Sequence, residues 1–351
     1  MAAGTPVYPG DYNSYVPSHE STQGLIVDFS RNPSDFALNQ YCKLFPVDFE
    51  TGLYARFGRD GGLPEEAARV LDTTLADVAW PDGNDAPDGN KFKELFQYVQ
   101  YRTFRRANPW VIGDLTAAQS SWSLRDQYAR AAAHLTMLQR TVQVVALATT
   151  SANYPTSHYS AVSSITGNTG KWDVSTTARQ DIRRSLHTAV NQIRLDTLGV
   201  VGIKDLVLVM SPNCAALVAR SQEIVDYLKQ QAGSIKIITG KGGDGYNFVG
   251  DFELPEYLYG LKVVIEDSVK ITNAKNDDTP FIASRPGALV GTDSRAPNFS
   301  TLSLFVWKEN EMLVEEMHDD KHKRLEGRCI DNTVADMTAG AAGYLFTAAV
   351  G

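Results

Sequence analysis

The sequence predicts an α+β fold on three observations: a long amphipathic helix over residues 123–150, an α/β layer over 174–270, and a closing stretch from about 300 that is antiparallel in character. In the helix, SLRDQYARAAAHLTMLQRTVQVVALATT, apolar or small residues recur at Leu124, Tyr128, Ala131, Leu135, Leu138, Val142, Val145 and Thr149, spacings of three and four that make one face. Ser123 with Asp126 three places on is a capping-box-like start, and Asn153 and Pro155 supply the stop. At 1.5 Å per residue the rod is on the order of 40 Å long. A second stripe, Met137, Thr141, Val144 and Ala148, makes its C-terminal half apolar on two sides, as for a helix lying across a sheet. Leu135→Asp is therefore expected to abolish folding by burying an unpaired charge.

Composition bounds the function. With 351 residues and 43% hydrophobic content the chain can bury a substantial core. Its net charge of −8, with charges mixed along the sequence, argues against a dedicated nucleic-acid binder, which would carry a basic face to exchange for counterions. Cys42, Cys214 and Cys329 are far apart and form no CxxC pair, so neither a disulfide framework nor a thiolate metal site is predicted, and a reducing compartment fits. The N-terminus has no basic start and no apolar run, so a soluble, unexported protein is expected.

In chain order, residues 1–40 are rich in Gly, Pro, Ser, Tyr and Asn and too poor in apolar side chains to build a core; Tyr8, Tyr12, Tyr15 and Phe29 suggest an arm held by another surface. Two strand-like runs follow, 44–57 and 92–112, separated by a helical patch and two Pro-Asp-Gly turns at Pro81 and Pro87. So long an excursion reads as a protruding two-stranded ribbon, which is marginal alone and expected to lie on a neighbouring copy. After the long helix comes a second, 174–195, with Ile182, Leu186, Ala189 and Ile193 on one stripe and Ser175 or Thr176 as caps. The apolar strand 205–212 predicts burial on both faces, and a third helix, 213–231, points Leu217, Ile224, Val225 and Leu228 inward. Strands at 235–239 and 260–269 complete the α/β layer.

Enzyme signatures do not survive inspection. Gly240, Gly242 and Gly245 spell GxGxxG after a predicted strand, but no helix follows to present an anion site. His318 and His322 have zinc-helix spacing, yet Asp319, Asp320 and Lys321 between them mark a turn joining two strands, where the rings diverge. Asp82, Asn84, Asp85 and Asp88 fail the calcium-loop pattern at Ala86, and Asp277 and Asp278 read as exposed loop. Arg102, Arg105 and Arg106 form a small basic cluster, read as a solvated or intersubunit ion-pairing face, with DNA contact behind it. No catalytic, cofactor-binding or metal-binding residue is assigned.

The order of elements is the informative feature. LVLVMSPNCAALVARSQEIVDYLKQQ (206–231) is a strand, a Ser-Pro and a helix. In 254–292, Tyr-Gly-Leu-Lys-Val-Val-Ile-Glu-Asp is followed by Phe-Ile-Ala-Ser-Arg-Pro-Gly-Ala-Leu. With these segments the chain resembles, over nearly its whole length, the major capsid proteins of tailed bacteriophages, whose Hong Kong 97-type fold is shared with encapsulin shells. The resemblance implies an N-terminal arm (1–40), an extended E-loop (41–112), a peripheral domain with the spine helix (113–155 and 300–337), and an axial domain (156–299 and 338–351). It implies a non-enzymatic subunit that self-assembles as hexamers and pentamers into an icosahedral virion shell around double-stranded DNA. Assembly in the host cytoplasm is implied, without membrane or cofactor, and with portal, scaffold, protease or decoration proteins as candidate partners. No long charged helical extension precedes the arm, which suggests a separate scaffold or none. Lys91 and Lys93 lie near the ribbon, but the Lys-Asn crosslink known in part of the family is not assigned to them. An encapsulin-like compartment is the nearest alternative, and a nucleotide-dependent α/β enzyme using the Gly240–Gly245 loop is the alternative from another class.

Overall fold

The computed structural model describes residues 30–56, 97–120, 123–174, 180–197, 199–230, 254–268, 279–289 and 300–351. One turn of helix, α1 (Leu38–Tyr41), leads into β1 (Cys42–Val47) and β2 (Thr51–Arg56). β3 (Gln97–Arg102), β4 (Phe104–Gly113), the short α2 (Asp114–Gln119) and the long α3 (Leu124–Ala148) come next. They are followed by β5 (Tyr159–Ala161), α4 (Asp181–Asp196), β6 (Leu206–Met210), α5 (Pro212–Ala219) and α6 (Gln222–Gln230). β7 (Tyr257–Leu258), β8 (Leu261–Ile265) and β9 (Phe281–Ser284) precede the closing strands β10 (Leu302–Trp307), β11 (Leu313–Asp319), β12 (Arg324–Asp336) and β13 (Tyr344–Thr347).

These strands make two sheets and a ribbon. β12 is long enough to serve three neighbours: it pairs antiparallel with β11 and β4 from Arg324 onward, and its last residues, Thr333–Asp336, pair with β10. β1 then adds parallel to β10, Cys42 opposite Leu302. The second sheet has the order β5-β13-β9-β6-β8-β7, parallel at β5/β13 and β6/β8 and antiparallel elsewhere. β2 and β3 pair only with each other, from Thr51 opposite Arg102 to Arg56 opposite Gln97.

Strand alternation explains why β6 is apolar at every position. Leu206, Leu208 and Met210 enter one core with Ile182, Leu186, Ala189 and Ile193 of α4, while Val207 and Val209 enter a second core on the other side. That second core joins the two sheets, because Met137, Val144, Val145 and Ala148 of α3 pack there with Leu302, Leu304 and Val306 of β10. The N-terminal half of α3 covers a third cluster, where Leu124 and Ala132 meet Trp110, Ile112 and Cys329. The Trp110 indole lies directly over Gly327 of β12, leaving no room for a Cβ there. With 25 residues, α3 is a rod of about 37 Å, and the Ser123 side chain accepts the Asp126 N–H as its cap.

Several expectations need correction. The inward face of α3 centres on the second stripe: Met137, Thr141, Val144 and Ala148 are buried, whereas of the first stripe Leu124 and Val145 are buried but Leu135 is 49% and Val142 53% exposed. The sheet approaches from the Arg140 side, and Arg140 is accommodated there because Asp331 pairs with it. Leu135→Asp therefore places its charge in water. The third helix breaks into α5 and α6 at Arg220–Ser221, where Ser221 turns its N–H to the Val218 carbonyl. α4 starts only at Asp181, since its first free N–H groups are taken from elsewhere: the Glu223 carboxylate of α6 accepts from Ile182 and Arg183, both at 2.9 Å. Each strand-like run before the long helix also divides, at Asp48–Glu50 and at Thr103. Their outer parts, β1 and β4, belong to the five-stranded sheet and only the inner parts form the ribbon. Ser175, Thr176, Leu228's side chain and the strand at 235–239 lie outside the described residues.

Candidate functional site

Opposed residues of a strand pair share a face, so β2–β3 presents Gly52, Tyr54, Val99 and Tyr101 on one side and Leu53, Tyr98 and Gln100 on the other. The first side rests on the chain's own five-stranded sheet. Tyr101 stacks on Phe305, with ring centroids 4.7 Å apart and planes 7° from parallel, and Tyr54 and Phe45 flank the same ring at 5.3 and 5.6 Å. An added Cβ at Gly52 would come within 2.5 Å of the Tyr101 hydroxyl, so a side chain there would displace the stack. Polar bonds fix the base: the Tyr54 hydroxyl donates to Asp336 at 2.7 Å, Asn332 donates to Glu50 at 2.9 Å, and Thr103 N donates to the Glu50 carbonyl at 2.8 Å. Burial at this base, with the Asp48 carboxylate adding to it, pushes the Tyr101 hydroxyl above its usual range, so the stacked ring stays neutral. The expectation that the ribbon finds its support on a neighbouring copy is thus corrected for its base. The opposite side is bare, with Leu53 66% and Tyr98 69% exposed.

Of the basic cluster, Arg102 sits over the Phe104 ring at 5.7 Å, and Arg106 donates to the Thr333 carbonyl at 3.0 Å. Arg105 and Arg106 are strand neighbours and point to opposite faces, so the three do not converge. A turn joins β11 and β12 as the sequence suggested, with His318 near the end of β11 and His322 inside the turn: His318 bonds Asp114 and Asp320, and His322 bonds Asp319. Among the described residues no group of His, Cys, Asp and Glu is arranged to hold a metal ion, and no described helix is long and apolar enough to cross a membrane. Cys42, Cys214 and Cys329 are buried and form no disulfide, and burial pushes the Cys42 and Cys329 thiols up, away from nucleophilic thiolate. Gly240, Gly242, Gly245, Asp82, Asn84, Asp85, Asp88, Lys91, Lys93, Asp277 and Asp278 lie outside the described residues.

Sequence reasoning missed two buried polar pairs. Arg140 of α3 holds Asp331 of β12 through two bonds of 2.9 and 2.6 Å. His158 is fully buried, its Nδ1 2.7 Å from the Gly343 carbonyl and its Nε2 2.7 Å from the Asp196 carboxylate. Ser157 bonds Asp196 rather than the imidazole, so the three residues make a clasp between α4 and the turn before β13, with both ring nitrogens turned toward protein oxygens. A charge on the buried stripe of α3 was the one available signal for Arg140; His158 carries none.

No protein-family model and no curated protein matches the sequence. Solved structures do. A phage-related protein from Bordetella bronchiseptica aligns with a TM-score of 0.58 at 13% identity, over 94% of this chain and 95% of that one. The capsid of cyanophage P-SCSP1u aligns with a TM-score of 0.53 at 10% identity, over 93% and 92% of the two chains. The chain has the tailed-phage major capsid fold. That fold is shared with encapsulins: the SrpI encapsulin from Synechococcus elongatus aligns with a TM-score of 0.50 at 9% identity, over 95% of each chain.

Proposed function

We propose that this chain is a major capsid protein that self-assembles, through hexamers and pentamers, into an icosahedral shell enclosing double-stranded viral DNA, and that it carries no catalysis. The observation that carries the reading is the ribbon: its Tyr54/Tyr101 face is braced on Phe305 and its Leu53/Tyr98 face is left for another surface. A fold that aligns over more than nine-tenths of a phage capsid chain supports it. Shell subunits gain stability by adding many modest interfaces around each copy, and an outward apolar ribbon serves that use. The net charge of −8 suits DNA held by enclosure better than DNA held by ion pairing.

In this reading residues 1–40 are the N-terminal arm, 41–112 the E-loop with β1 and β4 as its roots in the five-stranded sheet, 113–155 with 300–337 the peripheral domain, and 156–299 with 338–351 the axial domain. The protein then resides in the virion and assembles in the host cytoplasm, with portal, scaffold, protease or decoration proteins as partners. The fold match to an encapsulin favours one second reading, a compartment around a protein cargo.

Negative-stain microscopy of the purified protein tests the shell: closed particles are expected, and a persistent monomer at high concentration overturns it. Nuclease-resistant duplex DNA inside particles taken from producing cells supports the phage reading, whereas a co-purifying protein cargo supports the compartment. Deleting residues 58–91 should leave a folded subunit that forms no shells.

A further inference from the structure

We propose that the tip of the β11–β12 hairpin is a proton-operated latch on α2, closed when His318 is protonated and open when it is not. α2 is the connector between β4 and the long helix, yet it buries none of its side chains, and Leu115 at its start is exposed. Beyond the last β4 pairing, Gly113 opposite Arg324, its start is tied down by one backbone bond, from Asp114 N to the Lys323 carbonyl at 3.0 Å. The side-chain tie described at this start is the imidazole. His318 Nε2 lies 3.0 Å from an Asp114 carboxylate oxygen, and Nδ1 lies 2.9 Å from Asp320. Carboxylate oxygens accept and do not donate, so both bonds form only when hydrogen sits on both ring nitrogens. A neutral ring carries one hydrogen and keeps one carboxylate; in the proposed latch that hydrogen stays on Nδ1 with Asp320, two residues away, and the Asp114 carboxylate facing Nε2 is released.

The surrounding charges leave His318 as the group that decides. On β11, Asp319 is engaged by His322 at 2.6 Å and Arg324 at 3.4 Å, and Glu316 accepts from Arg125 of α3 at 2.8 Å. On β12, Glu326 is held by Arg324 at 2.6 Å. Lys321 and Lys323 of the turn are exposed. The hydrogen bonds that His318 donates to Asp114 and Asp320 hold its pKa above the ordinary value of 6.5. For a group raised in the folded state, the contribution is complete below the unfolded value and is lost as pH rises through the folded one. Asp319 runs the other way: its hydrogen bond with His322 lowers it below 3.8, and its contribution is lost on acidification below that value. The latch is thus closed through the mildly acidic range and opens above the raised His318 value.

The latch stands on this geometry, and its bearing on shell formation rests on the proposed function. The test is hydrogen-deuterium exchange of the full-length, unassembled protein between about pH 5.5 and about pH 8.5, corrected for intrinsic exchange and read on peptides covering residues 113–120. Protection there is expected to fall by at least about threefold across the range, while β6 peptides do not change. The step should vanish in His318→Gln and in Asp114→Asn and persist in His322→Gln. Equal protection at both ends of the range, or a step that survives in His318→Gln or Asp114→Asn, overturns the latch; if His318→Gln fails to fold, Asp114→Asn decides alone. Light scattering on the full-length protein concentrated for assembly at each pH separates the two readings, because a pH step in exchange with no particles at either pH removes the shell and leaves the latch.

Discussion

β6 and the β2–β3 ribbon are both short strands rich in apolar residues, and the chain uses them in opposite ways. β6 sends alternate side chains into two cores and exposes none of them. The ribbon commits one face to Phe305 and leaves Leu53 and Tyr98 in water. Apolar content therefore does not distinguish a strand buried on both faces from one with an open face here. The number of faces covered by the chain's own sheets does.

That contrast can be broken at several points. The largest loss is expected at the joint between helix and sheet: Asp331→Ala strands the buried Arg140 guanidinium and should cost about 3–5 kcal/mol in urea unfolding. Leu208→Ala, in a strand with no free face, should cost about 2–5 kcal/mol by the same measurement, and a smaller cost would mean that one side of β6 is loosely packed. Tyr101→Ala should cost about 0.5–1.5 kcal/mol beyond its lost area. Its clearer effect should be faster protease cleavage in the ribbon with the body's melting nearly unchanged. Leu53→Ser with Tyr98→Ser should move subunit stability by no more than about 0.5 kcal/mol yet prevent particles in the microscope. Leu135→Asp should likewise stay within about 0.5 kcal/mol, and an insoluble product would restore Leu135 to the core.

Where one period governs a segment, the fold was readable. The Ile182, Leu186, Ala189, Ile193 stripe, the all-apolar β6 and the Ser123 cap are where periodicity and capping chemistry place them. The face of α3 was not readable, because two stripes compete along its C-terminal half and the choice belongs to sheets formed by residues far along the chain. Arg140 looks like a surface residue until Asp331 is placed beside it, and Tyr101 looks like any strand aromatic until Phe305 lies under it. The Glu223 cap on α4 has the same character: a donor set satisfied by a carboxylate from another helix leaves no local mark. The candidate site was legible as a long ribbon that needs support, but the identity of that support was not.

β1 and β4 acquire their partners only from residues 302–336, and β5 acquires its partner only from β13. Translation therefore delivers Leu53 and Tyr98 long before it delivers Phe305, the ring that braces their ribbon. A chain stalled on the ribosome before residue 300 would hold the adhesive strands without the plate that gives them a direction. Until residues 302–336 are made, β1 and β4 lack these partners, so the order of synthesis places the ribbon's support after the ribbon itself.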